Sequence, residues 1–299
     1  MKCIVTGGAG FIGSNIVNRL VDLGYDVWVI DNESSESHEQ FYYNEKAKYF
    51  NIGISDYQNT RYLYNDAAYV FHIAAEARIQ RTFKNPTRAV KANTFGTAVV
   101  LQCAKEAGVK RVIYSSTSSA YGMNPVPNVE TQPDDCLNPY SISKVAGEKL
   151  CSMYSKLFGL ETIIFRYFNV YGKNQPTKGI YAPLIGLFDV QKENGKPLTI
   201  VGDGEQRRDF TNVEDVVDIN IEAATKDIDS KYFGQVFNIG TGKNYSVNQI
   251  ASFISDNTVN IPERPGEARE TLANIDKVKE VFNWEPKITL EQWFKERGI

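Results

Sequence analysis

Thr6-Gly7-Gly8-Ala9-Gly10-Phe11-Ile12-Gly13 follows an apolar run, Cys3-Ile4-Val5, and precedes a segment with helical periodicity. Glycines at 7, 10 and 13 give G-x-x-G-x-x-G between a strand and a helix. The first permits a tight turn. The second lets backbone N–H groups approach a pyrophosphate at a helix N-terminus, and the third lets helix and strand pack closely. A glycine cluster alone reads equally well as a plain tight turn, so its surroundings decide. Phe11, Ile12, Ile16, Val17, Leu20 and Val21 fall on one helical face, and Gly24 follows as a C-cap. Asp31 ends the next apolar run, 18 residues after Gly13, where a carboxylate, flanked by Asn32, would bind adenosine ribose hydroxyls. The same charge would repel a 2′-phosphate, and no arginine lies close by in sequence, so the pattern favours NAD over NADP. Asp56 reads equally as an adenine contact or as a turn or helix cap.

Working outward, apolar or β-branched runs at 3–6, 27–31, 69–73, 111–115, 161–166 and 235–239 read as strands. Most lack alternation, as parallel strands buried on both faces do. Pro86 opens a long helix carrying Val90, Phe95, Ala98, Leu101 and Ala104, closed by Gly108. The β-α-β alternation predicts an α/β protein with a Rossmann-like doubly wound parallel sheet. After about residue 166 the regularity fades into polar, glycine-containing loops at 174–179, 202–206 and 262–266. A smaller, mixed α/β subdomain fits that stretch. The predicted division is 1–166 plus roughly 211–240 for the dinucleotide domain, with roughly 167–210 and 241–299 for the substrate subdomain.

Composition narrows the classes. Of 299 residues, 42% are hydrophobic and 23% charged, with a net charge of −3. Nothing predicts a basic face for nucleic acid. No apolar run approaches the ~18 residues of a membrane span, and the strand-like start leaves no room for a signal peptide. Cys3, Cys103, Cys136 and Cys151 are scattered without a C-x-x-C pair, which reads as reduced thiols and a cytoplasmic protein. With only His38 and His72, no metal site is expected.

Two Y-x-x-x-K matches occur, Tyr42/Lys46 and Tyr140/Lys144. With 17 tyrosines the pattern decides nothing by itself. The first lies in a polar stretch and reads as surface. The second follows Asn138-Pro139 and starts a helix with Val145, Leu150 and Met153, so the i, i+4 spacing puts both side chains on one face. A cationic lysine beside an oxidised nicotinamide would lower the tyrosine pKa and provide a phenolate base near neutral pH.

The chain resembles the extended short-chain dehydrogenase/reductases, specifically the nucleotide-sugar 4-epimerases of the UDP-glucose/UDP-N-acetylglucosamine type. The resemblance rests on T-G-G-A-G-F-I-G (6–13), H-I-A-A (72–75), N-T-F-G-T (93–97), Y-S-S-T-S-S-A-Y-G (114–122), P-Y-S-I-S-K (139–144), R-Y-F-N-V-Y-G (166–172), G-D-G-E-Q-R-R-D-F (202–210) and R-P-G-E (264–267). It implies an NAD site formed by Gly7, Gly10, Phe11, Ile12, Gly13, Asp31, Asn32, Asp56, Ile73, Ala74, Ala75, Ser115, Tyr140, Lys144 and Tyr167. It implies Tyr140 as acid/base, Thr117 as the hydroxyl that bonds the sugar 4-hydroxyl, Lys144 as holder of the nicotinamide ribose, and Asn93 as the fourth member of that set. Ser118, Ser119, Asn169, Arg208, Arg264 and Thr271 would contact a UDP-sugar, the two arginines bracketing its diphosphate.

Two local features narrow the chemistry. Dehydratases of this family carry an Asp-Glu pair just after the active-site threonine, and decarboxylases a Glu. Here the stretch is Thr117-Ser118-Ser119-Ala120-Tyr121, without a carboxylate. Seven residues after Arg264 stands Thr271, small where epimerases restricted to glucose and galactose carry a tyrosine, which leaves room for an acetamido group. Arg78 stands where glycine or serine is common and would narrow or charge the sugar pocket. Gln80 replaces an arginine of many uronic-acid epimerases. The resemblance thus implies 4-epimerisation of UDP-glucose or the N-acetylhexosamine pair through a 4-keto sugar, in a homodimer. The rivals are a dehydratase, decarboxylase or reductase on the same scaffold, or a dinucleotide-binding protein without activity.

Overall fold

The computed structural model describes residues 1–35, 40–177, 182–263 and 265–298. Its strands are β1 (Lys2–Thr6), β2 (Asp26–Asp31), β3 (Lys48–Asn51), β4 (Ala67–His72), β5 (Arg111–Thr117), β6 (Glu161–Tyr167), β7 (Asn169–Tyr171), β8 (Leu198–Val201), β9 (Arg207–Asn212), β10 (Gln235–Ile239), β11 (Asn244–Ser246) and β12 (Thr258–Ile261). Seven form one sheet in the order β3-β2-β1-β4-β5-β6-β10, with every neighbouring pair parallel. The doubly wound α/β fold read from the sequence is the fold observed. The apolar runs fall on strands to within two residues. Only β3 had no sequence signal in that sheet; its four residues form a parallel edge strand.

Alternate residues feed opposite faces, which is why these strands read as unbroken apolar runs. Cys3, Val5, Tyr69, Phe71, Ile113, Ile163 and Phe165 pack on one side of the sheet. Ile4, Val70, Val112, Tyr114 and Ile164 pack on the other. The helices are α1 (Phe11–Asp22), α2 (Tyr57–Thr60), α3 (Ile79–Lys84), α4 (Pro86–Ala89), α5 (Gly96–Glu106), α6 (Pro139–Phe158), α7 (Leu184–Glu193), α8 (Val213–Thr225), α9 (Val247–Ile254), α10 (Asp276–Phe282) and α11 (Leu290–Glu296). The long helix expected from Pro86 is continuous, but between α4 and α5 it widens into a π-helical stretch at Val90–Phe95. Among the described residues no helix is long and apolar enough to cross a membrane.

The smaller part carries a three-stranded sheet, β11-β9-β7, and a pair, β12-β8. Its core joins Phe188, Leu198, Ile200, Phe210, Ile250 and Phe294. Ala273, Ile275, Val278, Phe282 and Trp284, near the C-terminus, pack instead with the core of the large sheet. Asp209, fully buried on β9, ties the parts together. It accepts from the Thr241 N–H (2.9 Å) and hydroxyl (2.7 Å), the Gly242 N–H (2.9 Å) and the Ala273 N–H (3.2 Å). Burial pushes its carboxyl upward in pKa and these donors pull it back. The order of strands reverses between β1 and β4, and a crevice outside their carboxyl ends is where ligands bind such sheets.

Candidate active site

The turn after β1 is shaped by close backbone approach. Gly7 has φ +72°, and a Cβ there would lie 2.7 Å from the Ala74 nitrogen. A Cβ at Gly13 would run into the Gly7 carbonyl. Helix α1 begins after Gly10, which has no side chain to cap the first turn, so its leading N–H groups are available to an anion. Asp31 is fixed at the end of β2 by accepting from the Ala9 N–H (3.0 Å) and the Glu33 N–H (2.8 Å). A cavity of about 340 Å³ is lined by Gly7, Gly10, Phe11, Ile12, Gly13, Asp31, Asn32, Ile73, Ala74, Ala75, Ser115, Thr117, Tyr140, Lys144 and Tyr167. Backbone amides at a helix start with a carboxylate beyond them suit the pyrophosphate and ribose of NAD. Asp56 sits elsewhere in role: it caps α2, accepting from the Asn59 N–H (3.2 Å).

Tyr140 is placed by the start of α6. Asn138 caps the helix by accepting from the Ser141 N–H (2.9 Å), and Pro139 occupies the first turn. Burial raises the pKa of the Tyr140 phenol, and a hydrogen bond with Thr117 and the charge of Arg78 lower it. Thr117, at the end of β5, also accepts from the Ser119 N–H (3.1 Å), which turns the chain toward Ser118 and Ser119. One turn along α6, Lys144 is 1% exposed, with its ammonium 4.2 Å from the centre of the Tyr114 ring. Burial lowers its pKa to about 7, against opposing pulls from Cys151 and Glu148.

Asn93 lies inside the π-helical stretch, fully buried. It accepts from the Glu76 N–H (2.7 Å) and donates to the Glu76 carbonyl (3.1 Å) and the Ser143 hydroxyl (2.9 Å). It therefore reaches the residue beside Lys144 and the loop after β4. Tyr42/Lys46 is apart from this cluster, with Lys46 exposed.

A second cavity, about 260 Å³, adjoins the first and shares with it Ala77, Arg78, Ser118, Ser119, Asn169 and Pro183. Its far end holds Gln206, Arg208, Phe210, Glu267 and Thr271. Arg208 donates to the carbonyls of Arg207 (2.9 Å) and Arg269 (3.2 Å) and lies 3.9 Å from Glu267. Burial lowers its pKa. Thr271 is 5% exposed and its hydroxyl has no hydrogen-bond partner among the described residues. Gln80 donates to the Pro265 carbonyl (3.2 Å). Arg264 lies outside the described residues, as do 178 and 179 of the loop expected at 174–179.

One supporting group was not picked out from the sequence. Glu148, 2% exposed, accepts from the Ser116 hydroxyl and from Arg166 at 2.9 and 2.7 Å, clamping the end of β5 to α6. An i, i+4 count from Lys144 along α6 would have found it.

The NAD dependent epimerase/dehydratase family matches residues 3–240. A UDP-glucose 4-epimerase of Mycolicibacterium smegmatis is 32% identical, over 98% of this chain and 96% of its own. A UDP-N-acetyl-alpha-D-glucosaminuronate decarboxylase of Bacillus cytotoxicus is 34% identical, over 99% of this chain and 96% of its own. The crystal structure of a UDP-glucose 4-epimerase with UDP-glucose from Thermotoga maritima superposes with a TM-score of 0.92 at 36% identity, covering 99% of this chain and 96% of that one. With a cradle suited to a dinucleotide and likeness along almost its whole length, this chain belongs to the NAD dependent epimerase/dehydratase family.

Proposed function

We propose that the chain is an NAD-dependent 4-epimerase of UDP-hexoses, acting on UDP-glucose and UDP-galactose or on the N-acetylhexosamine pair through a 4-keto sugar. The observation that carries this reading is the wall where the two cavities meet. Ser118 and Ser119 supply hydroxyls there, Thr117 and Tyr140 line the first cavity, and none of the six shared residues is a carboxylate. Elimination of water across the ring calls for a carboxylate acid/base pair. Reversible oxidation at carbon 4 needs one base and a hydroxyl to align it.

In this reading the backbone of 7–13 and α1 hold the pyrophosphate, Asp31 the adenosine ribose, and Lys144 the nicotinamide ribose. Bound there, NAD supplies a reversible hydride acceptor for the sugar. Tyr140 as phenolate takes the proton of the 4-hydroxyl and later returns it. Thr117 keeps that hydroxyl in line. Arg208 and Asn169 hold the diphosphate and its attached sugar while the ketone turns about the tether, so remote binding energy retains the intermediate. Thr271 offers both space and an unused hydroxyl to an acetamido group. The homodimer belongs to the same reading: Val90, Phe95 and Ile142 are exposed apolar side chains on helices packed against each other. Sedimentation at equilibrium checks it, a monomer at micromolar concentration counting against it.

The test is incubation of the purified protein, without added cofactor, with UDP-glucose, UDP-N-acetylglucosamine and UDP-glucuronate in turn, followed by proton NMR and mass spectrometry. A galacto-configured product at unchanged mass is the expected result. Loss of water or carbon dioxide would replace the reading by a dehydratase or a decarboxylase.

A further inference from the structure

Asn138 makes two bonds that point in different directions. Its Oδ1 accepts from the Ser141 N–H (2.9 Å) and caps α6, while its Nδ2 donates to the Gly266 carbonyl (2.9 Å). The residue is 4% exposed and borders the second cavity. Gly266 is seated closely: its φ is +77°, and a Cβ there would lie 2.7 Å from the Phe83 ring on α3. Gln80, also on α3, donates to the carbonyl just before it, that of Pro265 (3.2 Å). One end of segment 265–271 thus rests on α3 and on the cap of the helix that carries Tyr140.

The other end rests on β9. The Arg269 carbonyl accepts from the Arg207 N–H (3.0 Å), and the Thr271 N–H donates to the Arg207 carbonyl (3.1 Å). Arg208 also reaches the Arg269 carbonyl (3.2 Å) and lies 3.9 Å from Glu267. Between these anchors Glu267, Ala268 and Thr271 line the second cavity. The segment is a strap beside that cavity, tied at one side to the helix of Tyr140 and at the other to the strand of Arg208.

We propose that Asn138 is a positioning residue: it fixes the strap against the start of α6, so that a sugar nucleotide held by the strap and β9 meets Tyr140 in register. The proposal rests on the acid/base role given to Tyr140 above and on the second cavity as the sugar-nucleotide site. The chemistry of the side chain supports it. A helix cap needs only an acceptor, which serine, threonine or aspartate supplies as well. Here one end of the side chain meets a backbone donor and the other a backbone acceptor, and among the usual caps only an amide satisfies both. Aspartate would set an oxygen against the Gly266 carbonyl, and serine would stop a bond short of it. The cap places the phenol and the bridge places its substrate, and a small misplacement between them costs rate more than binding.

The experiment compares Asn138→Ser and Gln80→Met with the wild type, each as the cofactor-loaded protein. Hydrogen exchange is followed in the strap and in the first turn of α6, and kinetics with UDP-glucose and UDP-N-acetylglucosamine. Asn138→Ser keeps the cap, so exchange at the start of α6 should match the wild type while the strap exchanges about tenfold faster. Its kcat should fall about 10- to 100-fold, with KM changed less than about threefold and the inflection of the pH profile in place. Gln80→Met leaves the cap of α6 untouched and should show the same pattern by a smaller factor. It carries the test if Asn138→Ser does not fold. Wild-type kcat in Asn138→Ser overturns the proposal. So does a raised KM at constant kcat, which would make Asn138 a ligand of the substrate. Faster exchange confined to the first turn of α6 overturns it too, leaving Asn138 a cap alone. A loosened strap in a protein that converts neither sugar would uphold the anchoring and sink the epimerase reading instead.

Discussion

Around residues 7–13 the wall of the ligand crevice is main chain, packed so closely that a methyl group at Gly7 or Gly13 would collide with a neighbouring peptide. Beyond Tyr140 the wall is made of side chains: Arg78 before α3, Ser118 after β5, Asn169 on β7, Arg208 on β9 and Thr271 in the loop beyond β12. A main-chain wall accepts no added atom. A side-chain wall is rewritten one residue at a time while the fold stays. The division matches the two tasks, since relatives sharing the NAD dependent epimerase/dehydratase scaffold include both an epimerase and a decarboxylase.

Four substitutions can break or sharpen that contrast. Tyr140→Phe has the largest expected effect, a kcat loss of about 10³-fold with the melting temperature nearly unchanged. Full activity would end the mechanism, and unfolding would end the contrast. Lys144→Met tests the buried ammonium. A lysine whose folded pKa lies below its unfolded value weakens the fold while protonated. That penalty is complete below about pH 7 and is relieved as pH rises toward the unfolded value. The wild type should therefore gain about 2–3 kcal/mol in urea unfolding between pH 7 and pH 9.5 that Lys144→Met does not gain. Parallel curves would mean the ammonium is solvated.

Gly13→Ala attacks the main-chain wall. It should cost about 1–3 kcal/mol of stability and release NAD during gel filtration, and retention of both would show that the turn can relax. Thr271→Tyr should be the mildest. KM for the N-acetylated substrate should rise about 10- to 100-fold with that for UDP-glucose nearly constant. Equal losses on both would move Thr271 from the sugar to the nucleotide end.

What the sequence revealed follows the same line. Strands β1, β2, β4, β5, β6 and β10 were legible because both faces of each are buried and the apolar runs are unbroken. Lys48-Tyr49-Phe50-Asn51 gave no such signal because an edge strand buries little: its outer two residues are exposed. The cradle could be read from three glycines because a strand precedes them, a helix follows and Asp31 ends the next strand. Tyr140 and Lys144 were separable from Tyr42 and Lys46 by the capped helix that carries them. The hub at Asp209 and the reach of Arg78 into both cavities depend on residues far apart in sequence, which no local pattern encodes, whereas Glu148 lies one turn from Lys144 on α6 and only its partners Ser116 and Arg166 are distant. The widened helix was hidden too, since Val90-Lys91-Ala92-Asn93-Thr94-Phe95 is compatible with an ordinary α-helix.

That widened turn has a mechanical consequence. By turning Asn93 inward it bolts the loop after β4 to the start of α6, so Arg78 and Tyr140 stand on two arms of one truss. Thr271 and Arg208 are mounted on other segments of the chain. A swing of those segments would be made against the truss, which leaves the mount of Tyr140 in place. Proton affinity is insulated from loop motion: a viscous co-solvent that slows the swing should lower kcat and leave the inflection of its pH profile where it was.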